Sequence, residues 1–481
     1  MNFAIVRYLI GWMLGIESIF LLLPALTAVI YGEPELPAYL IAAAISLAGA
    51  ALLCHRKPKN TRFYAREGYV TVALCWLILA VIGALPFVLS REIPFFIDAL
   101  FETVSGFTTT GATILGDVEA LSHASMLWRC LTHWVGGMGV LVFMLIVLPL
   151  AGGQTIFLMR AESPGPAVSK MSPHMRDTAT ILYAIYFGLT VLQMILLLIG
   201  GMPLFDAICV SLGTAGTGGF GNWNDSIAHY NSAYLQNVIT VFMILFGINF
   251  SAYFLILTRK FRQAFRIEEI RVYLGVIFVF AGLIAFNVRP MFGSLRESFH
   301  HALFQVASII TTTGFSTVDF DRWPTFSRAL LVLLMFIGAC AGSTAGGMKI
   351  CRIAMLWKQG VRSVRHTFQP RKVQVVRFEG KGVDDTLLRE TASFAFVYIA
   401  MVLIGAVLIA FEGKYDIETN LSAALTCVSN VGPGFNAVGP AGNFAGYGSF
   451  AKVVLSLLML AGRLELYPML ALLYPALWRK Q

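Results

Sequence analysis

Long apolar runs alternate with short polar loops along the whole chain, and a shorter apolar motif recurs inside that alternation. The long runs fall at 3–31, 36–55, 69–90, 126–150, 179–200, 233–257, 272–286, 329–357, 391–411 and 447–478. Most reach the ~20 residues that a helix needs to cross the hydrocarbon core of a bilayer. Within each of the last four pairs lies an apolar stretch of only about three helical turns, ending in small polar residues and a glycine. The first is DALFETVSGFTTTG, Asp98 to Gly111. Its Ala99, Leu100, Phe101, Ser105, Thr108, Thr109, Thr110 and Gly111 return without a gap as Ala302, Leu303, Phe304, Ser308, Thr311, Thr312, Thr313 and Gly314. That marks a duplication. Asp98, Ala99, Thr109 and Gly111 return as Asp206, Ala207, Thr217 and Gly219, and Leu100 and Gly111, more faintly, as Leu421 and Gly432.

A helix so short can sit at membrane depth only if its non-helical end is buried in protein or lines a water-filled path, because lipid cannot satisfy free carbonyls. Threonine and glycine let that backbone extend with carbonyls free to replace the hydration shell of a cation. Four such half-helices around one axis make a pore. The residues expected at its filter are Thr110, Gly111, Gly218, Gly219, Thr313, Gly314, Val431 and Gly432. Small residues also let membrane helices pack closely, the plainer reading of any single TTTG, but fourfold recurrence favours the pore. The fourth copy has Ser429, Asn430 and Val431 where the others offer threonine, and both Gly432 and Gly434 fit its glycine place.

The run 329–357 contains GACAGSTAGGMK, Gly338 to Lys349, with more glycine than a helix interior tolerates. An unwound loop beneath the filter is expected there, a natural gate, with Ala341, Gly342, Ser343, Thr344, Ala345, Gly346, Gly347 and Lys349 as its candidate residues. Arg463 interrupts the last apolar run, where a charge is expensive and faces a cavity or a partner. We expect it to point into the pore and oppose cations, with a structural pair to Glu465 or another helix as the alternative.

Composition agrees with a membrane location. Of 481 residues 57% are hydrophobic and 13% charged, about half the charged share of a soluble domain, and the mean hydropathy is +0.75. The first run is too long for a signal-peptide core and is read as retained. A net charge of +9 on its own suggests nucleic acid as a partner. The basic residues, however, collect in short loops between spans: Arg56, Lys57, Lys59, Arg62 and Arg66; Arg160, Lys170 and Arg176; 259–271; the long stretch from Trp357 to Arg389; Arg479 and Lys480. That is the signature of cytoplasmic loops, and it places both termini inside and excludes nucleic acid as the reason for the charge. The stretch Trp357 to Gly382 also has the charge to hold anionic membrane lipid or a cytosolic partner. The opposite side carries Asp117, Glu119, Asp225, Asp319, Asp321, Asp416 and Glu418, acids expected to gather cations at an outer mouth. The seven cysteines are scattered in apolar context, without metal or redox spacing. No nucleotide-binding P-loop, histidine metal cluster or catalytic grouping is present, so no enzyme is expected. His133, in LTHWVGGMG, is read as helix packing. The expected fold is an all-α polytopic membrane protein, divided into an N-terminal hairpin with its basic loop at 1–67 and pore repeats at 68–176, 177–270, 271–388 and 389–481.

These motifs resemble the Trk/Ktr/HKT superfamily of potassium transporters, most closely its bacterial Trk H-type branch. The resemblance covers nearly the whole chain and is carried by TTTGAT at Thr108 to Thr113, GTGGF at Gly216 to Phe220, TTTGFSTVDFDRWP at Thr311 to Pro324, SNVGPGF at Ser429 to Phe435, AGSTAGGMK at Ala341 to Lys349, and GRLE at Gly462 to Glu465. It implies four membrane-pore-membrane repeats in pseudo-fourfold arrangement, in the bacterial inner membrane, and a homodimer with one pore per subunit. It implies potassium as the transported ion, filter glycines at Gly111, Gly219, Gly314 and Gly432, a gate at Ala341 to Gly347 and a pore arginine at Arg463. It also implies a cytosolic regulatory subunit that binds NAD or ATP. Gated potassium uptake is the expected function, and a secondary symporter coupling potassium to proton or sodium is the alternative. With one matched glycine per repeat, discrimination against sodium is expected to be modest.

Overall fold

The computed structural model describes residues 1–58, 64–139, 175–372 and 374–475. Lys59, Arg62, the part of run 126–150 beyond residue 139, Arg160, Lys170 and the last residues from Ala476 lie outside the described residues. The described chain is all-α apart from one two-residue hairpin.

Helices α1 (Phe3–Tyr31) and α2 (Leu36–Cys54) form the N-terminal hairpin. It turns at Gly32, whose left-handed φ of 68° lets its N–H return to the carbonyls of Ala28 and Val29. The two helices approach through small residues: Gly15 faces Ala50, and Ser46 Oγ donates to the Leu14 carbonyl at 2.8 Å. Four repeats follow. The first is α3 (Ala65–Leu89), the pore helix α4 (Phe96–Phe107) and α5 (His123–Gly137). The second is α6 (Met175–Ile199), pore helix α7 (Leu204–Gly216), and α8 (Ala233–Phe246) with α9 (Phe250–Leu257), followed by the short α10 (Phe261–Arg266). The third is α11 (Glu268–Val288), pore helix α12 (Leu295–Ile310), α13 (Thr325–Ile337) and α14 (Ile350–Phe368). The fourth is α15 (Asp385–Ala410), pore helix α16 (Ile417–Ser429), α17 (Ser449–Arg463) and α18 (Tyr467–Leu472).

Among the described residues six helices are long and apolar enough to cross a membrane, and counting the bent pair α8 and α9 as one broken span gives a seventh. The pore helices have 12, 13, 16 and 13 residues, too few to cross. Ser122, Ser232 and Ser294 cap α5, α8 and α12 by accepting backbone N–H groups.

The second, third and fourth returning spans are each broken within the apolar run, more often than the apolar pattern predicts. The glycine-rich stretch 338–349 is non-helical as expected. The runs 233–257 and 447–478, read as continuous, are broken too. Between α8 and α9 the chain turns by 94°, with Asn249 capping α9 by accepting the Ser251 N–H at 2.9 Å. Between α17 and α18 Glu465 and Leu466 adopt positive φ of 53° and 67°. In the cytosolic linker Arg377–Phe378 pairs antiparallel with Lys381–Gly382. The turn residue Glu379 accepts the N–H groups of Glu268 and Glu269, clamping the linker to the start of α11.

Candidate functional site

The four pore helices end in one shared backbone figure. Two residues before the glycine place, Thr109, Thr217, Thr312 and Asn430 all hold left-handed φ of 55–56°. Three of these are β-branched, for which that region is a steric outlier. The next residue turns its N–H back into the pore helix: Thr110 to the Ser105 carbonyl, Gly218 to Gly213, Thr313 to Ser308 and Val431 to Thr426, at 2.8–2.9 Å. The glycine then takes positive φ of 79° at Gly111, 80° at Gly219, 85° at Gly314 and 98° at Gly432. In the fourth copy Gly432, and not Gly434, shares this positive φ. No described residue donates a hydrogen bond to the carbonyls of Thr110, Gly111, Gly218, Gly219, Thr313, Gly314, Val431 or Gly432.

These four turns close into a ring. A Cβ added to Gly111 would strike the Gly218 carbonyl, one on Gly219 the Thr313 carbonyl, one on Gly314 the Val431 carbonyl, and one on Gly432 the Thr110 carbonyl at 2.7 Å. Each repeat's glycine thus abuts the next repeat's carbonyl, and the fourth returns to the first. The pore helices aim their C-terminal ends at this ring, so their dipoles add partial negative charge where the bare carbonyls converge.

Side chains brace the ring from behind, differently in each repeat. Buried Glu102 pairs with buried Arg129 at 2.8 Å and also accepts from Thr113 Oγ1 and the Ile114 N–H, which offsets the cost of burying the pair. Asp206 accepts from Asn222, Trp223 and Tyr230. Ser308 Oγ donates to the Phe315 carbonyl, and Ser422 Oγ accepts the Phe435 N–H. Asn430 Nδ2 reaches Thr110 Oγ1 and the Met459 carbonyl, both at 2.9 Å. Outside the ring a vestibule is lined from all four repeats, by Gly111, Gly219, Gly314 and Gly432 among others. The acids expected to gather cations there are absent from its lining. They tie loops together at the rim: Asp117 accepts from Asn224, which holds its carboxyl below the usual range, and Asp321 and Glu418 share Arg328.

Beneath the ring lies the loop Gly338 to Lys349. The Gly346 N–H donates to Thr312 Oγ1 at 2.7 Å, directly under the filter of the third repeat. The loop exchanges backbone bonds with the break in the second repeat, Cys340 N–H to the Gly247 carbonyl and Phe250 N–H to the Gly342 carbonyl, at 3.1 and 3.0 Å. The Ala341 N–H donates to Glu269 at 2.6 Å, Ser343 Oγ to the Cys340 carbonyl, and Thr344 Oγ1 to the Phe246 carbonyl. Ala345 and Gly347 are buried, and Lys349 turns its ammonium back onto the Ala345 carbonyl, so this lysine holds the loop rather than facing a path. Arg463 donates to the Thr344 carbonyl at 2.7 Å and to the Gly136 and Gly137 carbonyls at 2.6 Å. Thr344 belongs to the third repeat and Gly136 to the first, diagonal partners in the ring, so this guanidinium of the fourth repeat bridges the two. Glu465 pairs with Arg352.

The structure thus gathers the filter and loop candidates into one place and adds supports that the sequence did not single out. Asn249 and Glu269 knit the loop from ordinary apolar or polar contexts with no motif to mark them, and Thr312, though it lies in a TTTG motif, adds a hydroxyl acceptor for the loop that the motif does not reveal. The comparisons with known proteins now bear on this geometry. A sequence model of the TrkH family, described as a cation transport protein, matches residues 37–479. The Trk system potassium uptake protein TrkH of Salmonella typhimurium is 35% identical over the full length of both chains, and that of Escherichia coli K12 34% identical, again over both whole chains. The crystal structure of the potassium transporter TrkH from Vibrio parahaemolyticus superposes with a TM-score of 0.90 at 30% identity, covering all of both chains.

Proposed function

This chain belongs to the TrkH family of cation transport proteins, and from that premise we propose that it carries potassium into the cell through a gated pore of its own in the cytoplasmic membrane. The observation that carries the reading is the closed ring in which four glycines and four preceding residues present carbonyls to which no described residue donates. A cation entering from the vestibule exchanges water for Thr110, Gly218, Thr313 and Val431 carbonyls and those of the glycines. The inward pull is the membrane potential, about 2.3 kcal/mol per unit charge at 100 mV.

The same reading assigns closure to the loop 338–349 and to Arg463. Together they draw backbone from the first, second and third repeats, and the Arg463 side chain of the fourth, under the filter and leave a positive charge beneath it. Flux requires Arg463 to release Thr344, Gly136 and Gly137 and the loop to leave Thr312. A cytosolic subunit that binds NAD or ATP is the proposed source of that movement, and the chain is proposed to work as a homodimer. We keep the repeat boundaries at 68–176, 177–270, 271–388 and 389–481 as our division of the chain. The test is growth of a bacterium stripped of its potassium-uptake systems, on limiting potassium, with this chain as the only importer and the host's cytosolic subunit present. Rescue is expected, and a null result with protein in the membrane contradicts the reading.

One observation favours coupling to protons. Glu17 of α1 is buried and neither of its carboxylate oxygens has a hydrogen-bond partner among the described residues, the kind of group a proton carrier needs. It sits on the N-terminal helix, however, which packs against α2, α3 and α5 rather than on the ring. We therefore expect Glu17→Gln to leave proteoliposome potassium flux, with and without a pH gradient, as in the parent chain. Loss of a pH-gradient effect in that variant would establish the symport reading.

A further inference from the structure

The second repeat departs from the other three at one filter position, and a side chain from the first repeat occupies the difference. Where repeats one, three and four carry Thr110, Thr313 and Val431, the second carries Gly218. A Cβ at Gly218 would lie against Cγ, Cδ2 and Nδ1 of the His133 imidazole, closer than non-bonded atoms can pack. His133 stands on α5 and is fully buried. Its Nδ1 lies 2.7 Å from the Gly106 carbonyl at the end of the first pore helix. Its Nε2 accepts the N–H of Phe220, the residue after the filter glycine Gly219, at 3.2 Å. A carbonyl can only accept, and an amide N–H can only donate. The ring is therefore neutral, with its proton on Nδ1. It also packs on the Phe220 ring at a centroid distance of 4.2 Å.

We propose that His133 is a positioning residue for ion selection, filling from the first repeat the space that a filter side chain fills in the other repeats and fixing the Gly218–Phe220 strand by its bond to the Phe220 amide. This rests on the potassium-pore reading above. The filter strands are set by short polar links, and one neutral hydrogen bond is worth about a factor of ten in an equilibrium. His133 links two repeats with one ring, tying the end of the first pore helix to the strand of the second, so its removal frees a quarter of the ring. A conducting ring with one loose quarter adapts to the smaller sodium ion as well as to potassium.

The experiment uses the full chain in proteoliposomes and reads the ratio of potassium to sodium flux together with the thermal midpoint of the purified protein. His133→Ala is expected to lower that ratio about tenfold. His133→Gln, which keeps an acceptor and a donor, is expected to recover most of it, as is His133→Ala combined with Gly218→Thr, which returns volume from the strand itself. Gly218→Ala, with His133 intact, displaces the ring and is expected to lower the ratio by itself, which covers the case in which His133→Ala does not fold. A parent flux ratio retained in both His133→Ala and Gly218→Ala, with only the thermal midpoint lowered, overturns the proposal and makes His133 a packing residue. Failure of the parent chain to prefer potassium would count against the pore reading instead, and the two failures are distinguishable on that control.

Discussion

Thr109, Thr217 and Thr312 hold a left-handed backbone that β-branched residues avoid, at a cost of order 1–3 kcal/mol each. Packing repays that strain, since each turn is needed to send one N–H back into a pore helix and leave the carbonyls facing the axis. Thr312 has a second task, because its hydroxyl receives the Gly346 N–H of the loop below. We expect Thr312→Val to raise basal flux roughly tenfold by leaving that N–H without its acceptor, while Thr312→Ser stays near the parent chain; flux from potassium-loaded vesicles measures both. The glycine places were legible in the sequence because gapless repeats lay Gly111 over Gly219, Gly314 and Gly432. The strained residues before them were not. Threonine propensity argues against a left-handed turn, and only Asn430 belongs to a type that adopts one readily.

The breaks in the returning spans are the elements to which we assign gating. Glycine content announced the loop 338–349, but Gly247 to Asn249 and Leu464 to Leu466 read as ordinary helix interior. The first of these breaks is held by tertiary contacts: the Gly247 carbonyl receives the Cys340 N–H, and the Phe250 N–H, freed at the start of α9, finds Gly342. Loop and break satisfy each other's backbone, which lipid cannot do. Arg463 is legible as a costly intramembrane charge, while its three carbonyl partners on diagonal repeats are visible only in three dimensions. Arg463→Ala removes both the bond to the loop and the charge beneath the filter. Faster potassium flux at fixed driving force is expected from vesicle flux assays, and Arg463→Lys, which keeps the charge but loses the fork, is expected to fall between. Equal flux in all three chains would remove Arg463 from the barrier.

At the scale of the whole molecule, four short helices and four turns cooperate only because duplication and divergence preserved one backbone figure under different side chains. The hairpin, the repeats and the sidedness of the loops were all legible, since apolar length and the placement of lysine and arginine are direct consequences of the bilayer. The acids read as an outer cation trap turned out to hold the rim together, because charge count along a chain does not reveal which carboxylates already have partners. The central claim is that selection resides in the carbonyl ring, where each glycine leaves room for its neighbour's carbonyl. The reversal potential of the reconstituted chain under opposed potassium and sodium gradients tests it most directly, with the parent compared with Gly314→Ser. The ring predicts a modest potassium preference in the parent and its loss in the variant, whose side chain meets the Val431 carbonyl. An unchanged reversal potential in Gly314→Ser, or near-complete exclusion of sodium by the parent, would contradict it.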